Sequence, residues 1–136
     1  MKNIKYPSRY YFILLSVLFV TGILLLPDGT WNFAPIVYMF LGPVLLGILA
    51  FIAKFKLDRH IRIHHEDLVT KYALHYGAFK GKAINVFDLL HNKQEFMAKQ
   101  DHRLNTLLAA FTQNMKLLLY SFLVLIVVAA AGIILR

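Results

Sequence analysis

The chain contains no cysteine in its 136 residues. That excludes disulfides, thiolate metal centres, a cysteine nucleophile and lipidation on cysteine, and it leaves the redox compartment open. Charge is scarce as well. Asp, Glu, Lys and Arg make up 16% of the residues, and none occurs from Tyr10 to Pro27, from Gly29 to Ala53 or from Leu117 to Leu135. Histidine is missing from the same three stretches. Ionisable groups inside a membrane segment are the usual mark of proton relays and ion paths, so their absence argues against a pump, an antiporter or a voltage sensor. There is no Gly-rich loop ending in Gly-Lys-Ser/Thr to cradle a nucleotide phosphate, because Gly77 and Gly81 lack that ending. Ser8, Ser16 and Ser121 have no base placed beside them by local sequence. Internal repeats and low-complexity tracts are also lacking.

What is present is oil. The chain is 59% hydrophobic, and each charge-free stretch fits the roughly 20 apolar residues, with a range of about 17 to 25, that a helix needs to cross a bilayer. The expected fold is therefore all-α: an integral membrane protein with three transmembrane helices at 10–27, 34–53 and 117–135. A small helical cytoplasmic segment, 54–116, joins helices two and three. The whole reads as a single membrane domain, 1–136.

A net charge of +8 would suggest nucleic acid in a soluble protein. Here membrane orientation explains it more simply, so no nucleic-acid partner is expected. The first ten residues carry Lys2, Lys5 and Arg9 without an acid, and 54–116 holds eleven Lys/Arg against six Asp/Glu. The turn Pro27-Asp28-Gly29-Thr30-Trp31-Asn32-Phe33 has no base. The positive-inside rule then puts the N-terminus and 54–116 in the cytoplasm and the C-terminus outside, periplasmic or extracellular. No pair of small residues at signal-peptidase spacing follows the first stretch, so it reads as an uncleaved anchor. Tyr6, Tyr10, Tyr11, Trp31, Phe33, Phe51, Phe55 and Tyr120 fall where aromatic rings favour headgroups.

Pro27-Asp28-Gly29 predicts a tight antiparallel hairpin of spans one and two. Pro43 predicts a kink in span two. Gly42, Gly47 and Ala50, and Ala129 to Gly132 in span three, read as small-residue strips for close helix packing rather than as a gate.

In the polar segment, Leu57, Ile61, Leu68, Tyr72 and Tyr76 recur at helical spacing, predicting an amphipathic helix over 55–76 that continues or bends off span two. Gly77 to Gly81 breaks it. A short helix over 83–91 is expected to present Ile84, Phe87 and Leu90 on one side. Asn92 and Glu95 match an Asn-x-x-Glu cap for another, through Lys99. Asp101 is placed to cap a continuous helix from about His102 to Leu135, whose stripe of Leu104, Leu107, Leu108, Phe111 and Met115 faces a core.

One cluster has possible chemistry, His60-Ile61-Arg62-Ile63-His64-His65-Glu66-Asp67. His60 and His64 are four apart and share a helix face, the arrangement metal-binding helices use. The candidate metal ligands are His60, His64, His65 and Glu66. The competing reading is a surface helix with solvated or mutually paired side chains. Lys54, Lys56, Arg59 and Arg62 form a juxtamembrane basic set suited to anionic lipid headgroups.

The spacing His60, His64, His65 resembles one histidine box of membrane hydroxylases and desaturases. Those enzymes need several boxes, whereas His75, His91 and His102 are isolated here. A second resemblance covers about half the chain. Leu68, Gly77, Phe79, Phe87, Leu89, Leu90, Phe96, Asp101 and Leu104 follow a layout similar to that of small bacterial inner-membrane proteins of the universal stress protein B class, with an extra N-terminal span here. It implies a multi-pass protein of the cell inner membrane connected with stress or the envelope, and it transfers no catalytic residue. The expected function is a non-enzymatic accessory or interaction protein, without cofactor, whose partners are anionic lipids and another membrane protein or further copies of itself. The alternatives are a metal-dependent membrane enzyme using the histidine cluster and a small oligomeric pore.

Overall fold

The computed structural model describes residues 7–25, 33–75, 80–81 and 83–134. The Pro27-Asp28-Gly29 turn, Lys2, Lys5, Tyr6, Trp31, Tyr76 to Phe79, Lys82 and Arg136 lie outside these residues. The elements are α1 (Pro7–Leu25), α2 (Ala34–Met39), a π turn (Phe40–Val44), α3 (Leu45–His64), α4 (Glu66–Tyr72), α5 (Val86–His91), α6 (Lys93–Met97) and α7 (His102–Ile134). Among the described residues there is no strand, only an isolated antiparallel bridge between Ala73 and Ile84. The all-α expectation holds.

Two helices are long and apolar enough to cross a membrane: Ala34–His64, which runs through α2, the π turn and α3, and His102–Ala131 within α7. Most of their apolar windows face outward, being 33% and 17% buried. A soluble protein would hide such surface in its core, so its exposure points to membrane association. Both helices outrun the hydrocarbon core. At 1.5 Å per residue α7 is about 50 Å long.

The chain divides into two compact units, Met1–Ala50 with Gln113–Arg136, and Phe51–Thr112. In the first, Leu15, Phe19, Ala34, Tyr38 and Val128 form the core, with Tyr11, Val124 and Leu125 against it. Tyr11 donates its hydroxyl hydrogen to the Leu41 carbonyl, whereas Ser16 pairs with Tyr38. That falling register makes α1 and α2 antiparallel, as the hairpin reading requires. Pro43 lies inside the π turn, where a residue without an N–H interrupts the regular ladder. Gly42 is buried beneath its own helix's Tyr38 ring, and Ala50 is also buried. One polar crosslink joins three helices: the Ser8 hydroxyl donates to Asn114 Oδ1 at 2.9 Å, and Asn114 Nδ2 donates to the Leu49 carbonyl at 3.3 Å. Interhelical bonds of this kind act as glue where water is absent.

The second unit is a helical head. Leu57, Ile61, Leu68, Tyr72, Ile84, Leu89, Phe96, Leu104, Leu108 and Phe111 are all buried. Full burial of one such aliphatic side chain contributes about 1.5–3 kcal/mol before chain entropy is subtracted. The stripes on α3, α4 and α7 follow the predicted spacing, except that Leu107 and Met115 are only half-buried. Three local expectations change. The 55–76 helix is interrupted at His65, whose φ of −139° leaves the helical region. The helix expected from Ala83 starts at Val86, because Ile84 and Asn85 are extended: Leu74 N–H donates to the Ala83 carbonyl and Asn85 N–H to the Tyr72 carbonyl. Asn92 makes no side-chain cap: the Glu95 N–H it would serve donates to the Asn92 carbonyl at 3.0 Å, and the Glu95 carboxylate is engaged by the Tyr72 hydroxyl and by Lys71 Nζ at 2.9 Å.

Candidate functional site

Among the described residues of the head, Asp101 organises a cluster of metal-ligating side chains. It stands just before α7, and its Oδ1 accepts from the backbone N–H groups of Arg103 at 2.8 Å and Leu104 at 3.0 Å. This is the expected N-cap, at the positive end of the helix dipole. Its other oxygen is free of that duty. Oδ2 lies 2.7 Å from His60 Nε2 and 2.9 Å from His65 Nε2. Four donors therefore converge on one carboxylate. The two imidazole contacts first, then the two backbone N–H groups, hold its pKa far below the ordinary carboxylate range.

The break at His65 makes this convergence possible. On an unbroken helix at about 100° per residue, a side chain five positions after His60 would point about 140° away from it. His65 instead leaves the helix, and its own side chain caps nothing. Its carbonyl still accepts from Leu68 and Val69 N–H, starting α4, while its ring swings back to Asp101. The side chains of His60, His65 and Asp101 are 9%, 13% and 23% exposed, so water competes weakly for their contacts.

Of the candidate ligands, the structure brings together His60 and His65. His64 is exposed, its ring centroid 4.7 Å from that of His60, and Glu66 is exposed on the first turn of α4. Neither belongs to the convergent set, which Asp101 completes instead. Sequence reasoning placed Asp101 only as a cap. The signal for its second role is a 41-residue separation from His60 that no local pattern reveals.

Beside the cluster, Lys56, Arg59, His60, Ile63, His64, Arg103 and Leu107 line an open groove of about 610 Å3. A second hollow, about 370 Å3, has Phe51, Phe55, Ala83 and Val86 with Lys54, Asp58, Arg59 and Arg62. Lys54 is folded onto Asp58 at 2.5 Å, leaving Lys56, Arg59 and Arg62 as the exposed members of the basic set. Burial pushes the Asp58 carboxyl above its usual pKa, against the opposing pull of Lys54.

Comparison of the chain with protein-family models, with curated proteins and with solved structures finds no match in any of the three.

Proposed function

We propose that the chain is a non-enzymatic accessory protein of a bacterial inner membrane, anchored by three helices and docking a protein partner through its cytoplasmic head. α1, 19 residues and mostly apolar, supplies the third span beside the two longer helices. The excess of Lys and Arg in 54–116 supports a cytoplasmic head. The layout similar to the universal stress protein B class supports a link to envelope stress.

The observation that carries the docking role is on α5. Leu89 is fully buried and satisfies the core, yet Phe87 is 80% exposed and Leu90 also faces out. The sequence expectation put Phe87 and Leu90 on the side of Ile84, which is buried. Interfaces draw most of their energy from a few large anchoring side chains, and a ring left outside a filled core is free to serve as one. Lipid contact supplies a second attachment. Arg59 and Arg62 beside Phe51 and Phe55 suit a phospholipid headgroup above its acyl chain, and each base near an anionic surface adds about 1 kcal/mol.

Incorporating a photo-crosslinking amino acid at Phe87 in native membranes tests the docking role. A discrete protein adduct is expected, either a heterologous chain or a second copy. Crosslinks to lipid alone, with no protein adduct, would contradict it.

A further inference from the structure

We propose that His60, His65 and Asp101 bind a divalent transition metal of the zinc class, clamping the end of α3 to the start of α7 within the head. This goes beyond the docking role and does not depend on it. The three donor atoms, two imidazole nitrogens and one carboxylate oxygen, lie within 4.8 Å of one another. Zinc bound to nitrogen and oxygen at about 2.0–2.2 Å in a tetrahedron holds its donors about 3.3 Å apart. To admit the ion, the 2.7 and 2.9 Å contacts to Asp101 Oδ2 open by about half an ångström while the two imidazole nitrogens, no more than 4.8 Å apart, settle to the same spacing. Imidazole and carboxylate form a borderline donor set that suits zinc, cobalt(II) or nickel(II) better than calcium or magnesium, which prefer all-oxygen cages.

The carboxylate is already held in place. Asp101 is fixed by two backbone N–H groups through the oxygen that does not face the histidines. Three protein ligands leave a fourth position for a water molecule. The basic groove, to which His60 also contributes, adjoins it. The site is a staple inside the head, built from residues that the sequence separates widely.

Untagged full-length protein, purified in detergent and stripped with EDTA, is titrated with cobalt(II) and then zinc. The expected result is about one equivalent of cobalt with visible ligand-field absorption, abolished on adding zinc, together with a rise in melting temperature. Asp101→Asn keeps a competent helix cap, and His65→Gln keeps a polar side chain of related reach, so both are expected to fold with unchanged helicity. Each is expected to weaken cobalt binding by at least about tenfold, whereas His64→Gln leaves it within about twofold. Less than about a tenth of an equivalent bound by the parent protein would overturn the assignment. So would parent-like binding in the Asp101→Asn and His65→Gln variants, which would place the metal elsewhere.

Discussion

Glu95 shows how single side chains set the acid limit of the head. The Tyr72 hydroxyl, and after it Lys71, hold the Glu95 carboxyl below its usual pKa. Asp67 is lowered in the same direction by Lys99, and Asp101 by its histidines. A carboxyl whose folded pKa lies below its unfolded value binds its proton more readily in the unfolded chain. Its stabilisation is complete above the unfolded value, about 4.3 for Glu, and fades as pH falls through the folded one. Thermal unfolding in detergent is therefore expected to worsen steeply below about pH 4.5. Glu95→Gln is expected to shallow that slope while lowering stability near neutrality, and an unchanged acid slope would show that Glu95 contributes nothing to it. At this scale the sequence was partly legible. Asp101 was recognisable as a cap because capping is local. Its bonds to His60 and His65 were not, because they depend on tertiary folding across 41 and 36 positions. His64 looked like the natural companion of His60 only on the assumption that the helix continues.

Among the elements, the contrast between two glycines of one helix tests whether small residues are there for packing. A Cβ on Gly42 would meet the Tyr38 ring at 3.1 and 3.2 Å, and that ring is fully buried. Phe19 packs edge-on against it, with centroids 5.1 Å apart, and Ser16 holds its hydroxyl. It has little room to yield. At Gly47 the nearest atom, on Leu118, is 3.9 Å away. Alanine is intrinsically better than glycine in a helix by about 1 kcal/mol. Gly47→Ala is expected to be neutral or stabilising, whereas Gly42→Ala is expected to be destabilising because overpacking costs about 1–3 kcal/mol. Unfolding of the two variants side by side in mixed micelles checks this, and equal effects would remove the packing distinction. The long elements were legible because charge-free stretches and stripes such as Leu57, Ile61, Leu68 and Leu104, Leu108, Phe111 repeat over many turns. α5 was not. Six residues are under two turns, too few for periodicity to decide whether Phe87 or Leu89 faces the core. The extended pair at Ala73 and Ile84, which shifts its start, is again non-local.

For the whole molecule, the proposed topology has two long apolar helices and α1 crossing a membrane, with the polar head between the last two crossings on the cytoplasmic side. The lack of cysteine makes this directly measurable, because any introduced thiol is the only one. Phe33, at the start of α2, and Lys99, in the head, are both exposed and fall on opposite sides in this arrangement. The decisive measurement is labelling of Phe33→Cys and Lys99→Cys by a membrane-impermeant maleimide in intact spheroplasts and after lysis. With this topology Phe33→Cys is expected to react in both and Lys99→Cys only after lysis, with the protein staying in the membrane pellet through an alkaline wash. Labelling of Lys99→Cys in intact spheroplasts, or release of the protein by the wash, would contradict it.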